Sequence, residues 1–299
     1  MAPSDRLGFI GLGIMGRPMA LNLMNAGYPL AVYARRAEAM RPLAEAGALP
    51  CGSVGEVATN ADVCFTMVSD SSDVEAVILG RPEADDDGLL GRLPSGSLVV
   101  DMSTISPSVT RQLAARLQDH GIMMLDAPVS GGEQGAISGS LSIMVGGPAA
   151  ALERARPLFE VLGRSIVHVG EAGAGQVCKA CNQVVVGQTI AGVAEAMLFA
   201  QAFGVDAAKV REALLGGFAG SRILEVHGKR MLDEDFAPGF KAKLHQKDLR
   251  ILLEGAYELG LALPGAAQIQ QWLNALVGQG EGELDSAAIY RVLQRLSRP

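Results

Sequence analysis

A chain of 299 residues with 49% hydrophobic and only 19% charged residues has enough apolar material for two domains of ordinary size and too little charge for bulk disorder. Its net charge of −7 argues against a nucleic-acid binder, which needs a basic face to neutralise phosphates. Four cysteines in a chain this long do not make a disulfide framework.

The opening MAPSDRLGFIGLG passes straight into a strand pattern rather than the basic-then-apolar layout of a secretory leader. No apolar run reaches the ~18 residues that span a bilayer, so a cytoplasmic protein is expected. The strand candidates are LGFIGL (7–12), LAVYA (30–34), VCFTMV (63–68), SLVVDM (97–102), IMMLDA (122–127), LSIMVGG (141–147) and SIVHVG (165–170). Helical stretches separate them, among them GRPMALNLMNAG and SVTRQLAARLQDHG, the second opening after Ser106-Pro107 and closing at Gly121. Such alternation implies βαβ units and a mostly parallel sheet. The acidic stretch EADDDG (83–88) reads as a solvated turn.

Beyond Gly170 the pattern changes. Residues 174–203 form one helical stretch, ~45 Å long at 1.5 Å per residue. It is apolar nearly all the way round, the mark of a helix buried on most faces. The segments AKVREALLGG, SRILEVHGKRMLDE, HQKDLRILLEGAYELG, GAAQIQQWLNALVGQG and SAAIYRVLQRLS continue the helical pattern. The expected architecture is an α/β Rossmann domain with a mostly parallel sheet over residues 1–170, then an all-α substrate and oligomerisation domain over 171–299, joined by the long helix.

GFIGLGIMGRPMALNL puts Gly11, Gly13 and Gly16 in a G-x-G-x-x-G between the first strand and the first helix. The first glycine permits the tight turn, the second admits a pyrophosphate to the backbone, and the third lets helix and strand pack. Leu12, Ile14 and Met15 complete the loop. The second strand ends VYARRAE, with Ala34 where an NAD enzyme usually has an acid for the ribose 2′-hydroxyl, then Arg35 and Arg36. Two guanidiniums and no repelling carboxylate favour NADP(H), with NAD also possible. Ligands bind at the carboxyl ends of strands in open α/β sheets, which nominates Met67 and Val68, then Ser103 and Thr104.

Three ordered motifs then resemble the β-hydroxyacid dehydrogenase family: FIGLGIMGRPMALNL, DAPVSGGEQGAISGSLSIMVGG (126–147) and GAGQVCKACNQ (173–183). GGFAGSRILEVHGKRM and FAPGFKAKLHQKDL are similar to its tartronate semialdehyde reductase branch. The resemblance implies reversible oxidation of a 3-hydroxy acid to its semialdehyde, with hydride exchanged at a nicotinamide. It implies that Ser130, Gly131 and Gly132 anchor the substrate carboxylate, that Lys179 is the catalytic lysine, and that Phe240 and Lys247 reach the cofactor pocket.

The residues suit those roles. Ser-Gly-Gly offers a hydroxyl and bare N–H groups to a carboxylate, although the same residues also make a plain Gly-Gly turn. Lys179 lies about two turns into the long helix, where burial and the positive helix end would bring its pKa toward neutrality, the range of a general acid–base. Asn182 at i+3 and Gln183 at i+4 can share its face; Asn182 is the one expected to touch substrate, with Gln183 the alternative. Asp248 is expected to order its own helix. Cys178 and Cys181 form a C-x-x-C with no second pair, and His120, His168, His227 and His245 form no spaced cluster, so no metal is expected. Other 3-hydroxy acids, 3-hydroxyisobutyrate among them, stay open as substrates, as does a non-catalytic cofactor-binding protein. So apolar a helical domain is expected to form a homodimer or homotetramer.

Overall fold

The computed structural model describes residues 5–81 and 88–297; residues 83–87 of the acidic stretch lie outside them. Packing divides the chain inside the long helix, into units Met1–Lys179 and Ala180–Pro299.

The first unit runs β1 (Leu7–Ile10), α1 (Gly16–Asn25), β2 (Leu30–Tyr33), α2 (Arg41–Glu45), β3 (Leu49–Pro50), α3 (Val54–Thr59), β4 (Val63–Thr66), α4 (Ser71–Leu79), β5 (Leu98–Asp101) and α5 (Pro107–Gln118). It continues with β6 (Met123–Asp126), β7 (Val129–Ser130), α6 (Gly132–Ile137), β8 (Leu141–Gly146), α7 (Ala149–Leu162) and β9 (Gly163–Gly170). The sheet order is β3-β2-β1-β4-β5-β6-β8-β7, with β9 on β8; the strands from β3 to β6 are parallel, and β8 meets β6 and β7 antiparallel. This is the doubly wound dinucleotide-binding order.

Strand side chains alternate between faces, which gives the sheet two cores. Leu7, Phe9, Val63, Phe65, Leu98 and Val100 pack with Met19 and Leu23 of α1 and Leu158 and Phe159 of α7. The Phe9 and Phe65 rings stack at 5.8 Å. Ile10, Cys64 and Val99 pack on the other side with Val57 of α3, Ile78 of α4 and Leu113 and Leu117 of α5. All seven strand candidates are strands; β3 and β7, two residues each, are too short to show an alternation.

The long helix, α8 (Ala174–Ala202), leads into the second unit, followed by α9 (Ala207–Leu215), α10 (Arg222–Leu232), α11 (Ala242–Glu258), α12 (Pro264–Gly278) and α13 (Ile289–Leu296). Its core joins Ile190, Ala194 and Met197 of α8 to Leu224, Leu249, Leu273 and Tyr290. Ser221 caps α10 by accepting from the Leu224 N–H at 3.0 Å.

Two expectations about α8 need correction. It is not buried on most faces: Val177, Val185 and Phe199 are 43%, 66% and 66% exposed, and their spacing puts them on one side. It is also long and apolar enough, by length and composition, to cross a membrane, although 44% of that window is buried inside the protein. Composition alone does not separate an apolar side facing the core from one facing outward.

Candidate active site

Sheet order turns between β1 and β4, and a cavity of about 500 Å³ opens at the carboxyl ends of these strands. Gly11, Leu12, Gly13, Ala34, Arg35, Arg36, Met67 and Val68 line it together, as the sequence nominates, with Tyr33, Ser69 and Asp73 among the additions. Gly11 has φ +97°, and a Cβ there would stand 2.3 Å from the Met67 carbonyl oxygen. At Gly16 a Cβ would fall 1.9 Å from the Gly11 carbonyl oxygen. The turn itself therefore demands both glycines.

Gly13 differs. Nothing lies within 4 Å of an added Cβ, so no packing within the described residues calls for a glycine. Open space above a backbone that begins a helix fits a pyrophosphate, and no side chain caps α1. Of the remaining loop residues, Ile14 is 43% exposed and Met15 packs against the core. Arg35 pairs with Asp73 at 3.4 Å, so a carboxylate stands beside one of the two arginines. Ser103 accepts a hydrogen bond from the Val68 N–H at 2.9 Å, which ties the segment carrying Thr104 to the end of β4.

In the same unit, β7 ends at Ser130, and Gly131 and Gly132 take φ of +139° and +62°. These angles require glycine whatever the turn binds, while the space around Gly132 is open. Lys179 is 8% exposed on α8. Two buried acids escaped the sequence reading: Asp101 and Asp126 end adjacent parallel strands and stand in register. Thr66 Oγ1 and the Ser103 N–H both donate to Asp101 Oδ1, at 2.8 and 3.1 Å. Burial pushes the Asp101 carboxyl up to about 6. Asp126 is raised too, burial being the largest cause, against hydrogen bonds from Gly173 and Gln176 that lower it. The signal in the sequence was a polar residue closing each of two apolar strands.

In the second unit the predicted amides and lysine share one network. Asn182 Nδ2 donates to Gln183 Oε1 at 2.8 Å, and Gln183 Nε2 donates to Asp248 Oδ2 at 2.6 Å. Asp248 Oδ1 lies 2.9 Å from Lys247 Nζ. Asp248 thus does more than order its own helix: it joins α8 to α11. Half-buried Phe240 is held by its backbone, since Asp285 Oδ2 accepts from the Gly239 and Phe240 N–H groups at 2.9 Å each. Among the described residues no three His, Cys, Asp or Glu side chains are placed to hold a metal ion, and none of the four cysteines forms a disulfide.

Residues 6–170 match the family described as the NAD binding domain of 6-phosphogluconate dehydrogenase. Residues 173–293 match the family described as NAD-binding of NADP-dependent 3-hydroxyisobutyrate dehydrogenase. The chain is 47% identical over 296 residues, 98% of either chain, to the 2-hydroxy-3-oxopropionate reductase of Escherichia coli. It is 40% identical, over 98% of either chain, to the NAD-dependent L-serine dehydrogenase of Pseudomonas aeruginosa. The structure of Mycobacterium tuberculosis 3-hydroxyisobutyrate dehydrogenase with L-serine superposes with a TM-score of 0.86 at 32% identity, covering 97% of this chain and 99% of that one. A nicotinamide-dinucleotide fold, a glycine loop that leaves room for the cofactor and full-length relatives of one chemistry agree: the chain belongs to the β-hydroxyacid dehydrogenase family and is an NAD(P)-dependent oxidoreductase.

Proposed function

We propose that this enzyme reduces tartronate semialdehyde to D-glycerate with NADPH, reversibly, with Lys179 as general acid and base. The observation that carries the substrate is the full-length 47% identity to a 2-hydroxy-3-oxopropionate reductase. When bound, the nicotinamide supplies or accepts the hydride. Lys179 Nζ gives a proton to the carbonyl oxygen in reduction and takes it from the hydroxyl in oxidation. Ser130, Gly131 and Gly132 hold the carboxylate through a hydroxyl and backbone N–H groups. Gln183 has both ends of its amide engaged, which favours Asn182 as the amide that meets substrate.

Ala34, Arg35 and Arg36 in the cavity wall support NADPH over NADH. A second copy of this chain covers the exposed apolar side of α8, giving a homodimer or homotetramer, and cysteines without disulfides suit the cytoplasm. A second reading, oxidation of 3-hydroxyisobutyrate or a related 3-hydroxy acid, is favoured by the family matched over 173–293. The two acids exchange a hydroxyl for a methyl at C2, and a small pocket that does not hydrogen-bond that hydroxyl separates them by only about 1–3 kcal/mol.

The test is a panel of tartronate, methylmalonate and succinate semialdehydes with NADPH and NADH. The highest kcat/KM is expected for tartronate semialdehyde with NADPH; a higher value for methylmalonate semialdehyde would favour the second reading. Cofactor binding without turnover of any acid would point to a non-catalytic protein. Lys179→Ala should lower kcat by about 100-fold or more while NADPH still binds, and a fully active variant rules the lysine out.

A further inference from the structure

Two buried polar side chains fix the start of the helix that carries Lys179. Asp126, 1% exposed, ends β6. Its Oδ1 accepts from the Gly173 N–H at 2.8 Å and its Oδ2 from the Gln176 N–H at 2.9 Å. One carboxylate thus satisfies two amides at a helix start, where the N–H groups lack intrahelical partners. Two glycines leave it room. A Cβ on Gly146, the cross-strand partner of Asp126, would stand 2.6 Å from Asp126 Oδ1. A Cβ on Gly175 would stand 2.6 Å from the Asp126 carbonyl oxygen and 2.4 Å from that of Met144.

Gln176, also 1% exposed, works in the other direction. Its Oε1 accepts from the Ile105 N–H at 3.1 Å, and its Nε2 donates to the Ser103 carbonyl oxygen at 2.8 Å. The first turn of α8 is therefore bolted to the end of β6 by Asp126 and to the segment after β5 by Gln176. Lys179 stands at i+3 from Gln176, one turn further along the same face.

We propose that Asp126 and Gln176 are positioning residues for Lys179. Together they set the height and rotation of the lysine relative to residues 103–105, and the Asp126 carboxylate offsets the positive end of α8, which disfavours an ammonium. Among the described residues, the charged groups beside that carboxylate include Asp101, its register neighbour on β5, and Arg111 on α5, whose Nε donates to the Ala172 carbonyl oxygen at 3.4 Å; Lys179 follows Gln176 by three residues on α8. The inference rests on Lys179 being the acid–base group. A misplacement of about 1 Å in such a group costs about 100-fold in rate, which sets the scale of the effect.

The test compares Asp126→Asn, Gln176→Ala and Lys179→Met with the wild type, reading NADPH affinity, KM for the semialdehyde and kcat against pH. Asp126→Asn should lower kcat by about 10- to 100-fold with KM and NADPH affinity changed by less than about threefold. Its high-pH loss of reductase activity should begin about half a unit lower, because a neighbouring anion no longer favours the ammonium. Gln176→Ala removes no charge, so kcat should fall while the pH profile stays in place. Wild-type kcat in a folded Asp126→Asn or in Gln176→Ala overturns the proposal, as does an equal displacement of both profiles. Should Asp126→Asn fail to fold, kcat in Gln176→Ala decides alone. Turnover retained by Lys179→Met defeats the lysine assignment itself; an inactive Lys179→Met beside fully active Asp126→Asn and Gln176→Ala defeats only the positioning role.

Discussion

Asp101 closes β5 with its carboxyl wholly buried, Oδ1 engaged by Thr66 and Ser103 and Oδ2 without a hydrogen-bond partner among the described residues. Its folded value of about 6 lies above the ordinary 3.8, so between those limits the native state holds a proton that the unfolded chain has released. The stability tied to that proton is present below about pH 4 and lost as pH rises through about 6. A rise of that size is worth ~3 kcal/mol at most. The wild type should therefore lose stability relative to Asp101→Asn between about pH 4 and 6.5, measured by urea unfolding of both proteins; a difference that stays level across this range counts against the account. In the cofactor cavity, replacing Arg35 and Arg36 together by alanine should raise KM for NADPH by about tenfold or more and leave KM for NADH within about twofold, read from initial rates with each cofactor. Both arginines were legible in the sequence because they follow a recognisable strand end. Asp73 was not, because its place beside Arg35 depends on a chain separation of 38 residues.

The elements were legible wherever a period or a cap announced them. α5 starts at Pro107, directly after Ser106, and Gly121 closes the stretch at φ +70°. α8 spans nearly the residues its apolar pattern outlines. What the pattern does not carry is how α8 is fastened, because its partners come from the end of β6 and the segment after β5, 47 to 73 residues away. The fastening tolerates no side chain at Gly175, where an alanine Cβ meets two backbone carbonyl oxygens. Gly175→Ala should cost about 1–3 kcal/mol of stability, seen as a lowered Tm, with kcat falling as well. Gly192 on the same helix has nothing within 4 Å of an added Cβ, so Gly192→Ala should leave Tm unchanged or slightly raised.

For the whole molecule, the exposed apolar side of α8 and the exposed rings of Phe199 and Phe203, 4.7 Å apart, predict self-association. Light scattering at micromolar concentration should return at least a dimer, and Phe199→Glu should shift it toward monomer; a monomeric wild type refutes this. By itself the sequence determined the two-part architecture, the glycine loop and the family, since strand and helix periods, turn glycines and ordered motifs are local properties of a chain. Only the tertiary structure decided that Asp101 and Asp126 stand side by side, that Gln183, Asp248 and Lys247 join into one network, and that one side of α8 faces outward. Those facts depend on sheet register and helix packing, which bring together residues far apart in the sequence, and no local pattern records such distances.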